Sequence, residues 1–188
     1  MNLYFRLFLT LLRCLWRPAM SPDDTLTVRR RVLPTDLDIN IHMNSSRYQS
    51  VAELSMVEYF VRTGLMREMI RRGWRPMAGA ILTTFRHQLR PFQPYELTFR
   101  WVCCDERFNY MAWEYVSESK VCAAGYLKGG VVSKQGIVSP LRFPELAKPS
   151  QQATFQLLVD RPIPVDIAQW RDAEQSMIAN ARERVASA

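Results

Sequence analysis

Four segments in the middle of the chain alternate apolar and polar residues with a period of two, and this pattern predicts β-strands. The segments are rich in β-branched and aromatic residues, which pleated strands favour. The predicted strands are residues 77–89, 95–104, 108–117 and 120–133. Because three of the connections are short, we expect the strands to pair as antiparallel neighbours.

The pattern changes to helical spacing before these strands. Residues 48–72 carry apolar side chains three to four positions apart, beginning with Val51 and Leu54, which predicts a helix with a break at Gly64. An alternating segment at residues 26–33 predicts one further strand ahead of it. One strand, one long helix and four antiparallel strands predict an α+β fold with a single sheet and one principal helix.

The first residues predict an amphipathic helix that lies outside this plan. Its polar residues recur every three or four positions and would form one stripe on a helix. These residues are Asn2, Arg6, Thr10, Arg13 and Arg17. The longest uncharged run is residues 7–12, far shorter than the about 20 apolar residues of a transmembrane helix.

Two interpretations of the apolar side of this helix stay open. A helix with arginines on one side and Trp and Phe on the other can lie in a membrane interface, here through residues 1–17. Alternatively, the apolar side packs on the domain or on a second subunit. Arginines where a secretory signal needs apolar residues argue against such a signal.

The last part of the chain begins with a proline-rich stretch at residues 140–164. Apolar residues then follow at helical spacing from about 165 to 185, which predicts a second amphipathic helix that docks on its own domain or on a neighbour. We therefore divide the chain into an N-terminal helix at 1–20, a domain at 25–144 and a C-terminal extension at 145–188.

Composition indicates an ordinary globular domain. Of the 188 residues, 48% are hydrophobic and 23% are charged, which is typical of such domains. The four cysteines lack C-x-x-C spacing and there are two histidines, so neither a disulfide framework nor a metal site is expected. This cysteine usage favours a reducing compartment such as the cytoplasm.

The net charge of +7 would suit nucleic acid, an anionic membrane or an anionic ligand. Residues 1–35 contain six arginines and two aspartates, so they hold +4 and leave +3 for the other 153 residues. The arginines are not interleaved with aromatic residues on a recognisable reading element, which disfavours nucleic-acid binding.

The sequence DLDINIHMNSSRY, residues 36–48, carries the candidate chemistry. Strict alternation predicts an extended segment whose apolar residues anchor it and whose polar residues share one face. The residues of the polar face are Asp36, Asp38, Asn40, His42 and Asn44. Because Asp and Asn are depleted in strands, we interpret this face as a candidate working site.

This pattern, D-x-D-x-N-x-H-x-N before a helix near Tyr48, resembles the signature of plant-type fatty acyl carrier-protein thioesterases. At Asp38 and Tyr48 it is also similar to single-domain acyl-CoA thioesterases of the 4-hydroxybenzoyl-CoA type. The order of strands supports the resemblance over residues 26–143. It implies the hotdog fold, in which an antiparallel sheet wraps around one long helix, here with N- and C-terminal helical extensions.

The resemblance implies that Asp38 is the catalytic carboxylate, acting as a general base or as a nucleophile, with Asn40 and His42 as polar neighbours. Asp36 is then expected to be structural, holding the loop through backbone N–H groups. It also implies that the helix N-terminus binds the thioester oxygen. The first N–H groups of a helix lack intrahelical partners and carry partial positive charge, which suits an oxyanion. The residues implied in oxyanion binding and substrate positioning are Asn44, Ser45, Ser46 and Tyr48.

Three further residues are candidates with a structural alternative. Glu53 matches a helix glutamate of many single-domain relatives and is a candidate second acid, whereas an ordinary exposed glutamate is the alternative. Arg86 and Arg90 have the geometry to meet the phosphates of coenzyme A, whereas a solvated strand edge is the alternative.

The function that the resemblance implies is hydrolysis of an acyl-CoA or acyl-carrier-protein thioester to a free acid and a thiol, with no cofactor beyond the coenzyme A of the substrate. It also implies a homodimer or homotetramer, because the active sites of this family usually lie between subunits. Two alternatives stay open, namely a non-catalytic acyl-binding scaffold and an acyl-thioester dehydratase.

Overall fold

The computed structural model describes residues 3–187, and within this range six strands form one antiparallel sheet. The strands are β1 (Leu26–Arg31), β2 (Arg75–Phe85), β3 (Pro94–Cys104), β4 (Asn109–Ser117), β5 (Lys120–Ser133) and β6 (Gly136–Val138). Their order is β1-β3-β4-β5-β2, and β6 pairs with β5. The predicted first strand and meander are therefore confirmed, and β2 lies at an edge of the sheet.

Six helices accompany the sheet in the described part of the chain. They are α1 (Leu3–Cys14), α2 (Ser45–Arg62), α3 (Leu65–Arg72), α4 (Phe143–Leu146), α5 (Pro149–Val159) and α6 (Val165–Ala186). The predicted long helix is thus two helices. Its break is at Gly64, as predicted, where φ is +82°, a conformation that only glycine adopts without strain.

Helix α2 packs against one face of the sheet and forms the main core. Its buried residues include Val51 and Tyr59, and they contact inward-facing residues of the strands such as Phe99 and Trp113. Strand β5 lies very close to the Trp113 ring at Gly125. A side chain at this position would overlap the ring, so glycine permits the close approach. The sheet wraps the long helix, as the fold predicted from the sequence requires.

The proline-rich stretch is more ordered than its composition indicates. Helices α4 and α5 each carry a proline in the first turn, where the missing N–H costs no intrahelical bond. Phe155 of α5 is buried in the main core, with its ring 6.0 Å from that of Trp101. Proline therefore starts helices here, which is why sequence analysis missed them.

Helix α6 docks on its own domain through its first turns. Ile167 is buried against Cys103 and Tyr110, and Lys128 forms an ion pair with Glu174 at 2.7 Å. The alternative that this helix packs only on a neighbour is therefore wrong for its first half. No helix within residues 3–187 is both long enough and apolar enough to cross a membrane.

Candidate active site

The chain reverses direction between Leu37 and Met43, which pair as an isolated antiparallel bridge. The Asp38 N–H donates to the His42 carbonyl at 2.9 Å, and the Ile41 N–H donates to the Asp38 carbonyl at 3.1 Å. Ile41 has a φ of +57°, which is uncommon for a β-branched residue. The predicted extended segment is therefore wrong, and a tight turn takes its place. We call it the Asp38 turn.

The apolar residues of this turn do not all anchor it. Met43 is buried at 3% exposure, but Ile39 and Ile41 are 97% and 67% exposed. The prediction of an apolar anchoring face is right for Met43 and wrong for the two isoleucines. A turn rotates successive side chains differently from a strand, so alternation along the sequence no longer means alternation between two faces.

The carboxylate of Asp38 is held from two sides. Its Oδ1 accepts a hydrogen bond from the Asn40 N–H at 2.8 Å, and its Oδ2 lies 3.2 Å from Nδ1 of His42. The side chains of Asp38 and His42 are 18% and 29% exposed. The turn therefore presents a carboxylate–imidazole pair to solvent, and Asn40 contributes its backbone to that arrangement.

Asn44 caps the helix that follows the turn. Its Oδ1 accepts hydrogen bonds from the Ser46 N–H at 2.9 Å and from the Ser46 hydroxyl at 2.7 Å. Asn44 is therefore the N-cap residue, and the helix begins at Ser45. The Ser45 N–H belongs to the first turn, which lacks intrahelical partners for its donors.

Tyr48 fixes this helix terminus on the sheet. Its side chain is 3% exposed, its ring meets those of Tyr115 and Phe85 edge-on at 4.9 and 5.2 Å, and its carbonyl accepts a hydrogen bond from the Tyr115 hydroxyl at 2.6 Å. Burial raises the pKa of Tyr48 to about 12. Direct contact of Tyr48 with a substrate stays a prediction.

Asp36 joins the turn to the N-terminal helix. Its two carboxylate oxygens each accept a hydrogen bond from the Arg6 guanidinium at 2.7 Å, and Oδ2 also accepts from the Leu33 N–H at 3.1 Å. The Asp36 carbonyl accepts from the Asn44 N–H at 2.8 Å. The structural role expected for Asp36 is confirmed, but sequence analysis missed its partner Arg6.

Helix α1 docks with its polar side inward. Arg6, Thr10 and Cys14 are buried, whereas large apolar side chains in and just after α1 are exposed. These include Phe5, Phe8, Leu11, Leu15 and Trp16. The interpretation that the apolar side packs on this domain is therefore wrong for these side chains, whereas Leu3 and Leu7 line a cavity between α1 and α2. Asn2, also predicted in the stripe, lies outside the described residues.

Arg86 and Arg90 are both exposed and lie on the connection between β2 and β3. The Met43 N–H donates to the Leu89 carbonyl of this connection at 2.9 Å, so the connection borders the Asp38 turn. A contact of either arginine with coenzyme A phosphates stays a prediction.

Glu53 is partly buried on α2, where its Oε1 accepts a hydrogen bond from the Gln49 amide at 3.2 Å. It lines an apolar cavity of about 320 Å³ between α1, α2 and the strands β2, β4 and β5. The residues that line this cavity do not include Asp38 or His42. A role for Glu53 as second acid stays a prediction.

Comparison with known sequences identifies a family. The family model described as the thioesterase-like superfamily matches residues 32–170. A Xenopus laevis relative, Protein THEM6, is 33% identical over 86 residues, which are 46% of this chain and 42% of the relative. Protein THEM6 of Drosophila melanogaster is 25% identical over 161 residues, or 85% of this chain and 78% of the relative. The chain thus matches less than half the length of the Xenopus relative.

Solved structures share the fold. Protein SAV2348 of Staphylococcus aureus, solved in complex with CoA, is 13% identical with a TM-score of 0.60, covering 81% of this chain and 96% of that one. YbaW, a probable thioesterase of Escherichia coli, is 13% identical with a TM-score of 0.60, covering 72% of this chain and 99% of that one. The hotdog fold predicted from the sequence is confirmed.

Proposed function

Because the chain belongs to the thioesterase-like superfamily, we propose that it is an enzyme that hydrolyses an acyl thioester of coenzyme A or of an acyl carrier protein. The observation that carries the proposal is the Asp38 turn, which sets a carboxylate–imidazole pair directly before the N-terminus of α2. A base and an oxyanion donor, the Ser45 N–H, therefore belong to one short segment of the chain. The complex of SAV2348 with CoA favours coenzyme A as the thiol.

In the proposed reaction, Asp38 takes a proton from water as the water oxygen attacks the thioester carbonyl carbon. The carbonyl oxygen becomes an oxyanion, which the Ser45 N–H at the N-terminus of α2 stabilises. The C–S bond then breaks, and the thiolate leaves and takes up a proton. The products are a carboxylic acid and a thiol.

His42 and Asn40 serve this step by fixing the carboxylate. The His42 imidazole, 3.2 Å from Oδ2, orients Asp38 and accepts or returns its proton. The Asn40 N–H donates to Oδ1 and fixes the rotation of the carboxylate. Both oxygens are thus held, and in the proposal Oδ2 uses its remaining lone pair to take the proton of water.

The test of the proposed function is release of free thiol from acyl-CoA substrates of graded chain length, followed with a thiol-reactive dye. We expect saturable release that exceeds the buffer rate, with a maximum at one range of chain length. Acyl-carrier-protein substrates run in parallel decide between the two thiols. Binding without release would favour the acyl-binding scaffold, and hydration of an enoyl-CoA without release would favour the dehydratase.

We also propose a homodimer as the smallest working assembly. Strand β2 is an edge strand of 11 residues whose residues are exposed or partly exposed on both faces, which leaves a template for pairing with another chain. The side chains of Ile39 and Ile41, next to Asp38, are also uncovered. A second copy over these surfaces would shield the active site from bulk water.

Light scattering of the parental protein is expected to give twice the 21.9 kDa chain mass. Replacing Ile39 and Ile41 by Ser is expected to weaken the dimer by tenfold or more, since burying one such side chain is worth roughly 1.5–3 kcal/mol. The matched control is Ile70→Ser on α3, where the side chain is 72% exposed. A monomeric parental protein at micromolar concentration would contradict the proposal.

We further propose that the exposed apolar side of α1 lies in the interface of an anionic membrane. Phe8 and Trp16 are 59% and 73% exposed, and the exposed Arg13 stands on the same helix. Residues 3–22 contain no acidic residue. Arg6 and Arg17 pair with Asp36 and Glu58, which leaves the exposed Arg13 to meet anionic headgroups. An interfacial helix buries its apolar side among acyl chains and keeps its cations at the headgroups.

Flotation with vesicles of phosphatidylcholine and phosphatidylglycerol tests this proposal. We expect the parental protein to float, and Phe8→Glu to lose most of the bound fraction because a charge would enter the acyl region. The matched control is Phe92→Glu, since Phe92 is 60% exposed outside α1. Equal flotation of both variants would show that α1 is not the membrane-binding surface. No flotation of the parental protein would show that the protein does not bind this membrane, and either result would contradict the proposal.

A further inference from the structure

One buried side chain faces the apolar cavity between α1 and α2 without a partner. Asn109, the first residue of β4, is 3% exposed and lines the cavity. Its Oδ1 is buried and accepts no hydrogen bond from residues 3–187. An unpaired buried amide oxygen is costly, because it has lost its hydrogen bonds to water without replacement. A ligand in the cavity can supply the missing donor.

The other polar groups of the cavity already have partners. The Ser50 hydroxyl donates to the Ser46 carbonyl at 3.0 Å, and Glu53 accepts from Gln49. Two further buried polar atoms in the described chain lack a partner, on Arg30 and Tyr95, but these residues do not line the cavity. The Asn109 side chain is therefore the one whose buried oxygen, Oδ1, lacks a hydrogen-bond donor within the described residues of this cavity.

Asn109 lies in the wall of the cavity beside small residues. Asn109 pairs with Gly129 of β5, and Gly129 pairs with Ala78 of β2, so the strands at this level carry only small neighbours. All three residues line the cavity. Farther along the same face of β4, Met111 continues the wall with an apolar side chain. The Asn109 amide thus forms a polar position at one end of the apolar cavity wall that β4 provides.

We propose that this cavity receives the acyl group of the thioester and that Asn109 selects acyl groups that carry a hydroxyl. The proposal rests on the thioesterase function proposed above and narrows its substrate class. The hydroxyl donates to Oδ1 of Asn109, while the rest of the acyl group contacts apolar side chains such as Leu54 and Met111. Leu3 and Leu7 of α1 close the cavity opposite the sheet.

The size of the cavity suits a small acyl group. Its volume of about 320 Å³ lies at the low end of the roughly 300–1,000 Å³ range of small-molecule sites. An acid of medium length, such as decanoic acid, is therefore a suitable probe.

Binding of free acids tests this selection without relying on turnover. Calorimetry with the full chain compares decanoic acid with decanoic acids that carry a hydroxyl on the third carbon or on the terminal carbon. We expect one hydroxylated acid to bind about tenfold more tightly, because a single hydrogen bond is worth about one factor of ten. An entirely apolar cavity would give the opposite order, since it would strip water from the hydroxyl without replacing it.

Asn109→Leu should abolish this preference, so that decanoic acid binds best. The control is Met111→Leu, which alters the wall at similar volume and should keep the preference for the hydroxylated acid. Equal or tighter binding of decanoic acid by the parental protein would overturn the proposal, whatever the fate of the variants. Thiol release without selection would overturn this inference alone, whereas selective binding without thiol release would overturn the proposed function.

Discussion

Replacing Asp38 by Asn is expected to slow thiol release from acyl-CoA by about 10²- to 10⁴-fold, the usual contribution of a positioned acid or base. The amide keeps the shape of the carboxylate, and its oxygen can still accept the hydrogen bond from the Asn40 N–H. It cannot take the proton of the attacking water. The rate should therefore fall through kcat, measured as thiol release at saturating substrate.

The control for this variant is Glu68→Gln, which makes the same acid-to-amide change on α3, where Glu68 pairs with Arg71. It should keep the parental rate. Both variants should show the parental circular dichroism spectrum, so that a loss of rate is not a loss of fold. An Asp38→Asn protein that releases thiol at the parental rate would rule out Asp38 as base or nucleophile.

Oxygen-18 water separates the two catalytic routes of Asp38. If Asp38 activates water, a single turnover with enzyme in excess places the label in the product acid and none in the protein. If Asp38 attacks the carbonyl, it forms a mixed anhydride, and water that opens the anhydride at the Asp38 carbon leaves the label in the side chain. Mass spectrometry of the peptide that contains Asp38 reads the result, and label there would contradict the general-base route.

The second large effect is expected on stability. Replacing Asp36 by Ala should lower the free energy of unfolding by about 3–5 kcal/mol, because it leaves the Arg6 guanidinium buried without its partner. The two side chains are 1% and 8% exposed and meet at 2.7 Å through both carboxylate oxygens. Urea unfolding followed by Trp fluorescence measures the change.

Two further variants separate the charge from the packing. Asp36→Asn keeps an oxygen that can accept from the Leu33 N–H, so its loss should be smaller than that of Asp36→Ala. Adding Arg6→Met to Asp36→Asn removes the remaining charge and should recover part of the stability. If Asp36→Ala lost less than about 1 kcal/mol, in the range of an exposed ion pair, the docking of α1 described here would be contradicted.

The fold was largely predictable because it follows from local pattern. The period-two segments became β3, β4 and β5 nearly residue for residue, since each of these strands has one face on the core. The break at Gly64 was predictable because only glycine adopts its φ of +82° readily. These features depend on residues close together in the sequence.

The geometry of the site depended on contacts that local pattern does not encode. A polar–apolar alternation suits either a strand or a turn, and hydrogen bonds between Asp38, Ile41 and His42 decide for the turn. Arg6 and Asp36 are 30 positions apart, so no spacing rule pairs them. The identity of Asp38 as a candidate came from resemblance, whereas its bond to His42 came from the structure.

The inverted docking of α1 also decides how the protein can be shortened. Deleting the residues before Pro18 would remove the exposed apolar side of α1. It would also remove Arg6 and Arg17, which form ion pairs with the buried residues Asp36 and Glu58. Asp36 would then have lost its cation, and Glu58 would keep only Arg62. A shortened protein made for easier handling would therefore be less stable than the full chain, because it gives up the two ion pairs that hold α1 and the segment after it on the domain.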